Sequence, residues 1–189
     1  YGGEYMIIVI TGPSGSGKTT LRRILNDEYG IPTLKNVTTR QKRPGEIDGV
    51  DYLFVTDAEF CRMRDEGDLL EWVEYSGNCY GLKRADHLTG ITVLEAEGAK
   101  KLKGMFPGKV KIVYLEVPEQ TRIKRMRDRG DTPEEVEKRV QRDRERFENS
   151  GIKDQADLVI DNTDIPSTVE KILGLLEGTL GQRPAEGRN

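Results

Sequence analysis

Two hydrophobic patterns alternate along the chain: short unbroken apolar runs, and longer stretches where apolar residues return every three or four positions. Met6 to Ile10 has no polar member, as expected of a strand buried on both faces in a parallel sheet. From Gly17 to about Glu28, Leu21, Ile24 and Leu25 recur at helical spacing and predict a first amphipathic helix. The pattern resumes with predicted strands at Ile91 to Leu94 and Val110 to Val117, separated by a short helix near Gly98 to Leu102. Helices at Glu119 to Arg127 and Pro133 to Phe147 follow, then a strand at Leu158 to Ile160 and a last helix carrying Val169, Ile172, Leu173 and Leu176. Strands alternating with helices predict an α/β fold with a parallel sheet flanked by helices.

The middle of the chain departs from this rhythm. Arg40 to Gly49 is rich in Gly, Pro and charge, and beyond it Tyr52 to Thr56 and Leu69 to Tyr75 read as strands flanking a short helix from Asp57. This is a small α+β insert. One domain is expected over residues 1–189, with a core from 6–35, 91–120 and 150–180, the insert at 36–90 and a helical pair at about 121–149. Residues 1–5 precede Met6, the expected natural start, and the polar tail from Gly181 is expected to fray.

Composition narrows the function classes. No apolar run approaches the ~20 residues needed to span a bilayer, and the N-terminus lacks the layout of a secretory signal, so a cytoplasmic location is expected. Thirty Lys or Arg against thirty-three Asp or Glu leave a net charge of −3, which argues against general nucleic-acid binding. The segment Thr121 to Phe147 is different, with ten basic and seven acidic residues, so it can meet an anion. Cys61 and Cys79 are too few for a metal set or disulfide framework, and His87, the only histidine, offers no triad.

Residues 12–19, Gly-Pro-Ser-Gly-Ser-Gly-Lys-Thr, join the first strand to the first helix with the spacing of a phosphate-binding loop. Glycines let successive N–H groups turn inward at phosphate oxygens, and the helix aims the positive end of its dipole at the same anion. Lys18 neutralises β and γ phosphates, while the Thr19 hydroxyl suits Mg²⁺. An ATP site over Gly12, Pro13, Ser14, Gly15, Ser16, Gly17, Lys18, Thr19 and Thr20 is expected, in a fold of the P-loop NTPase type.

The stretch Thr38-Thr39-Arg40-Gln41-Lys42-Arg43-Pro44-Gly45-Glu46-Ile47-Asp48-Gly49-Val50-Asp51-Tyr52, followed by Leu70-Glu71-Trp72 and Tyr75-Ser76-Gly77-Asn78-Cys79-Tyr80-Gly81, resembles the guanylate kinase family. The likeness covers roughly residues 6–178. It implies ATP-dependent phosphorylation of GMP and dGMP, with 36–90 as the region that binds the monophosphate and 121–149 as a mobile lid. It also implies that Arg40, Arg43, Tyr52 and Tyr80 hold the GMP phosphate, that Glu46 orients the arginines, and that Glu71 reads the guanine edge. Two guanidinium forks and two phenols suit a dianion.

Two positions depart from the family where the base is read: Asn36 stands for a serine and Leu82 for a small hydroxyl residue. Leu82 keeps open a relative acting on another nucleotide or a sugar bisphosphate. The intact Gly12, Gly17, Lys18 and Thr19 speak against a non-catalytic interaction module.

The family typically carries two aspartates where Glu95-Ala96-Glu97 stands, and strand alternation would send both glutamates to one side of a strand end. The resemblance gives Glu95 to Mg²⁺, through water, and Glu97 to the GMP site. Arg122, Arg125 and Arg129 share a helix face at i, i+3, i+7, and Arg139, Arg142 and Arg146 repeat the spacing. By similarity Arg125, Arg129 and Arg139 join Lys18 and Arg43 in catalysis, and Asn162 lies near the adenine of ATP. Expected partners are small-molecule nucleotides, in a monomer or homodimer, with no nucleic acid or membrane.

Overall fold

β1 (Ile7–Thr11) is buried along its whole length, and its alternate side chains enter two different apolar clusters. Ile7 and Val9 pack with Ala99 and Leu102, whereas Ile8 and Ile10 pack with Leu21, Leu25, Val169 and Ile172. A strand that buries both faces cannot alternate apolar with polar, which is why its sequence is a solid run. Each of these isoleucines contributes roughly 1.5–3 kcal/mol by burial. The computed structural model describes residues 6–75, 77–85 and 88–180. His87, the five N-terminal residues and the tail from Gly181 lie outside the described residues.

The elements that follow are α1 (Lys18–Asp27), β2 (Asn36–Thr38), β3 (Leu53–Phe54), α2 (Asp57–Asp65), β4 (Leu69–Tyr75), β5 (Asn78–Lys83), β6 (Gly90–Val93) and α3 (Ala96–Met105). Then come β7 (Val110–Glu116), α4 (Glu119–Asp128), α5 (Pro133–Asp143), a π-helical turn (Arg144–Glu148), α6 (Ile152–Gln155), β8 (Leu158–Asp161) and α7 (Ile165–Leu180). The first sheet is parallel, in the order β6-β1-β7-β8, as the alternating pattern predicts. Its flanking helices supply the two clusters that sandwich β1. The second sheet has the order β3-β2-β5-β4, parallel at β2–β3 and antiparallel at the other two pairs.

Differences from the sequence expectation have local reasons. Asn36–Thr38 and Asn78–Lys83 carry too few alternating apolar residues to announce themselves as strands, and they are strands because they pair with each other, the first also with β3 and the second also with β4. The strand expected at Tyr52 to Thr56 shrinks to Leu53–Phe54, since Thr56 leaves it to cap α2 in a capping box with Glu59. Thr132 and Glu135 form the same box at α5, with Pro133 in the first turn. The helix expected to run to Phe147 turns π-helical after Asp143, a geometry often found at functional sites. Finally, β6 stops at Val93 and α3 starts at Ala96, so Glu95 and Glu97 do not alternate along a strand. Glu95 is the helix N-cap residue, and Glu97 points outward to pair with Lys100 at 2.6 Å.

Candidate active site

Thr11 ends β1, and the chain turns at once into the glycine-rich loop that opens α1. Gly17, the N-cap of α1, has φ 93°, a left-handed conformation that L side chains avoid. A Cβ there would stand 2.6 Å from Asn162 Nδ2, and one on Gly15 2.7 Å from the Arg122 carbonyl oxygen. The loop therefore leans its back on α4 and the turn after β8. Ser14, Gly15, Gly17, Lys18, Thr19 and Thr20 line the cleft in front of it.

Lys18 Nζ donates to the Gly12 and Pro13 carbonyls at 2.6 and 3.0 Å. Burial pushes its pKa down, with Glu95 and Asp143 pulling the other way. Asp143, at the end of α5, accepts from the Ser14 backbone N–H at 2.7 Å and from its hydroxyl at 3.3 Å. Arg122 closes the bolt: it is buried, reaches Asp143 at 3.4 Å, and donates to the Ser14 and Val117 carbonyls. Arg125, on the same helix face, donates to the carbonyls of Gly15 and Asn162.

Asn162, expected near the adenine of ATP, is fully buried behind the loop and its Nδ2 donates to the Ser16 carbonyl at 2.7 Å, so it supports the loop's shape.

The opposite wall comes from the insert. Glu46 takes a forked pair of hydrogen bonds from Arg40, at 3.1 and 2.8 Å, and accepts the Arg43 backbone N–H at 2.7 Å. Arg40 also lies over the rings of Tyr52 and Phe54. Arg43 Nε is buried without a hydrogen-bond partner. Burial, reinforced by the charges of Arg40, Arg139 and Arg129, pushes its pKa down to about 10. A guanidinium so short of counter-charge is the electrostatic mark of an anion site.

In the turn between α4 and α5, Asp131 is shared by Arg129 at 2.5 Å and Arg139 at 3.4 Å. Lys18, Arg40, Arg43, Tyr80 and Glu95 border both of two adjoining cavities, of about 1020 and 770 Å³ including open solvent. Arg125 and Arg129 line the first, Arg139 the second.

A smaller chamber lies beyond, lined by Asn36, Tyr52, Glu71, Tyr80, Gly81 and Gly98 among others. Glu71 is 2% exposed and its Oε2 has no hydrogen-bond partner. Burial, against the pull of Lys101, pushes its pKa up to about 7. Tyr52 rises to about 12, chiefly by burial. Asn36 donates to the Val93 carbonyl at 3.1 Å and accepts from the Thr92 hydroxyl at 3.0 Å, while its amide keeps a second N–H. Leu82 is fully buried in the cluster with Leu34, Leu70 and Leu94, so it fills the core.

The fold thus gathers the loop residues, Arg40, Arg43, Glu46, Tyr52, Glu71, Tyr80, Asn36, Glu95, Arg125, Arg129 and Arg139 around one cleft. Glu97 is not among them: it borders a separate surface hollow with Glu145 and Asn149. The sequence reading missed Asp143 and placed Arg146 only on an arginine face; Arg146 pairs with Glu95 at 2.8 Å and lies over the Tyr75 ring. A lone aspartate set among Arg139, Arg142 and Arg146 was the available signal. Thr19 and Glu95 border the same cavity, an all-oxygen pair that fits Mg²⁺, which takes only one or two protein oxygens beside phosphates and water.

The family model described as guanylate kinase matches residues 4–179. A guanylate kinase of Gloeobacter violaceus is 35% identical over 96% of this chain and 91% of that protein. One of Prochlorococcus marinus is 33% identical over 90% and 96%. Among solved structures, the crystal structure of guanylate kinase from Anaplasma phagocytophilum superposes with a TM-score of 0.72 at 26% identity, covering 96% of this chain and 88% of that one.

Proposed function

The chain belongs to the guanylate kinase family, and on that premise we propose that it transfers the terminal phosphoryl group of ATP to GMP and dGMP. One observation carries the reading: Lys18, on the donor loop, and Arg43, on the insert, border the same cavities. Arg43 is half-buried there, its Nε without a hydrogen-bond partner. Two phosphate-bearing substrates meeting at that point would supply its counter-charge.

The donor's phosphates lie along the loop amides of 12–20, with Lys18 at the terminal phosphate. Arg40, Arg43, Tyr52 and Tyr80 hold the acceptor phosphate, and the Glu46 fork keeps Arg40 at the angle that grips it. Glu71 accepts from the adjacent ring N–H and amine of guanine, a donor pair adenine lacks, and Asn36 offers its remaining N–H beside it. Residues 36–90 form the monophosphate-binding region, and about 121–149 the lid that brings Arg125, Arg129 and Arg139 onto the phosphates. Glu95 is held by Arg146 at the cleft wall. Thr19, and Glu95 through water, would hold Mg²⁺, which would supply charge neutralisation on the donor phosphates.

The transition state of phosphoryl transfer is loose and spreads its charge, so positioning and cations supply the catalysis and no side-chain base is needed. Closing arginines also exclude water, which would otherwise hydrolyse ATP. A buried carboxylate at the far end of the cleft suits a base edge and not a second sugar phosphate, which disfavours a sugar-bisphosphate acceptor. No helix among the described residues is long and apolar enough to cross a membrane.

The test is a panel of GMP, dGMP, AMP, dTMP, CMP and UMP with Mg-ATP, with Lys18→Ala as control. GMP is expected to lead, and the control to lose on the order of 10² or more in rate. Faster turnover of any pyrimidine would overturn the guanine assignment.

A further inference from the structure

We infer that Asp51, with Arg22 and Arg23, is a positioning residue that ties the monophosphate-binding loop to the helix bearing Lys18, and so sets the distance between the two substrates' phosphates. The inference rests on the proposed kinase reading and adds residues with no contact to either nucleotide.

The Asp51 side chain is completely buried, a rare state for a carboxylate unless it is fully paired. Arg22, itself buried on α1, donates to the Asp51 carbonyl at 2.8 Å and to Oδ1 at 2.9 Å. Arg23 donates through Nε to Oδ1 at 3.0 Å, through Nη2 to Oδ2, and to the Gly45 carbonyl at 3.3 Å. From the other side the Ile47 N–H donates to Oδ2 at 2.8 Å. One carboxylate thus gathers three segments: α1, the turn at 45–47 and the residue just before Tyr52.

Each bonded group stands beside part of the proposed site. Arg22 and Arg23 lie one turn along the helix that Lys18 begins. Gly45 and Ile47 flank Glu46, which grips Arg40 and the Arg43 backbone. Asp51 adjoins Tyr52. The loop needs such an anchor, because Arg40 to Val50 contains no helix or strand, and Ile47 and Val50 are half exposed. Burial opposes the charge on Asp51, but the hydrogen bonds from Arg23 and Ile47 and the charges of both arginines hold its pKa below the usual carboxylate value, so the tie persists at neutral pH.

A misplacement near 1 Å can cost about 10²-fold in rate, and loosening this anchor moves one phosphate relative to the other without touching the donor loop. The experiment measures kcat, KM for the acceptor and ADP affinity by calorimetry in wild type, Asp51→Asn and Arg23→Ala, with thermal unfolding of each. The acceptor is whichever monophosphate the wild type uses best, so failure of the guanine reading stays separate. Both variants are expected to raise the acceptor KM about tenfold and lower kcat about tenfold or more, with ADP affinity within about twofold. Asp51→Glu, which keeps the charge, is expected to recover part of the loss. Arg23→Ala removes only a partly exposed partner and keeps the test open if Asp51→Asn does not fold. Unchanged acceptor KM and kcat with a lowered melting temperature would make the cluster merely structural and overturn the inference. An equal loss of ADP affinity would overturn it too.

Discussion

Asp143 accepts a 2.7 Å hydrogen bond from the backbone N–H of Ser14, 129 positions away in sequence. The bond joins the end of α5, where the helix turns π-helical, to the middle of the phosphate loop. It also sets a carboxylate beside the proposed site of a polyanion, which is tolerable because Arg122 lies against it at 3.4 Å. Arg122→Leu is therefore expected to strand a buried charge, lowering stability by about 3–5 kcal/mol and raising the KM for ATP several-fold. The double variant Arg122→Leu/Asp143→Ala is expected to recover most of both, since an apolar pair commonly replaces a buried ion pair without loss. A double-mutant cycle on unfolding free energy and on KM checks this, and additive losses would refute it.

Glu71 carries a pH dependence of definite sign. Its folded-state pKa, about 7, lies above the ordinary carboxylate value, so its contribution to stability is complete below about pH 4.5 and is lost as the pH climbs through 7. Glu71→Gln is expected to stabilise the ligand-free protein by about 2–3 kcal/mol at pH 8 and hardly at all at pH 4. Denaturant unfolding at the two pH values measures the difference.

The same carboxylate must be ionised to accept two guanine donors. The KM for GMP is therefore expected to rise about tenfold per unit as pH falls below 7, and Glu71→Gln to abolish that slope while raising the KM at pH 8. A flat profile in the wild type would count against Glu71 as the base reader.

Gly98 begins this effect from the opposite side. A Cβ there would stand 3.0 Å from Glu71 Oε2, closer than a methyl group packs. Gly98→Ala is expected to push the carboxylate aside and raise the KM for GMP about tenfold, leaving ADP affinity unchanged in titration calorimetry.

Arg43 sets activity against stability. Its half-buried guanidinium faces like charges from Arg40, Arg139 and Arg129, so Arg43→Met is expected to stabilise the free protein by on the order of 1 kcal/mol after allowance for solvent screening. The same variant should lose about 10²-fold or more in kcat/KM. Melting curves and steady-state rates on one preparation test both halves.

Much of this was legible in the sequence. The phosphate loop is local chemistry: glycines at fixed spacing, a lysine and a threonine between an apolar run and an amphipathic helix leave little choice of conformation. The parallel sheet likewise followed from β1 and β7, whose periodicity is set by burial along a few consecutive residues. Arg40, Arg43, Tyr52, Glu71 and Tyr80 stood in a readable order, although nothing in that order fixes how they meet.

Only the tertiary structure decided the rest, because its determinants are far apart in sequence. Val93 ends its strand where pairing with β1 ends, which turns Glu95 into a helix cap at the cleft and sends Glu97 outward. Leu82, which stood where the base was to be read, is drawn into the core by Leu34, Leu70 and Leu94. Asn162 is spent on the Ser16 carbonyl because the loop's back needs a donor there. The sequence reading gave Asp51 and Asp143 no role. They became anchors because each meets a buried arginine and a backbone N–H contributed by segments that only folding brings together.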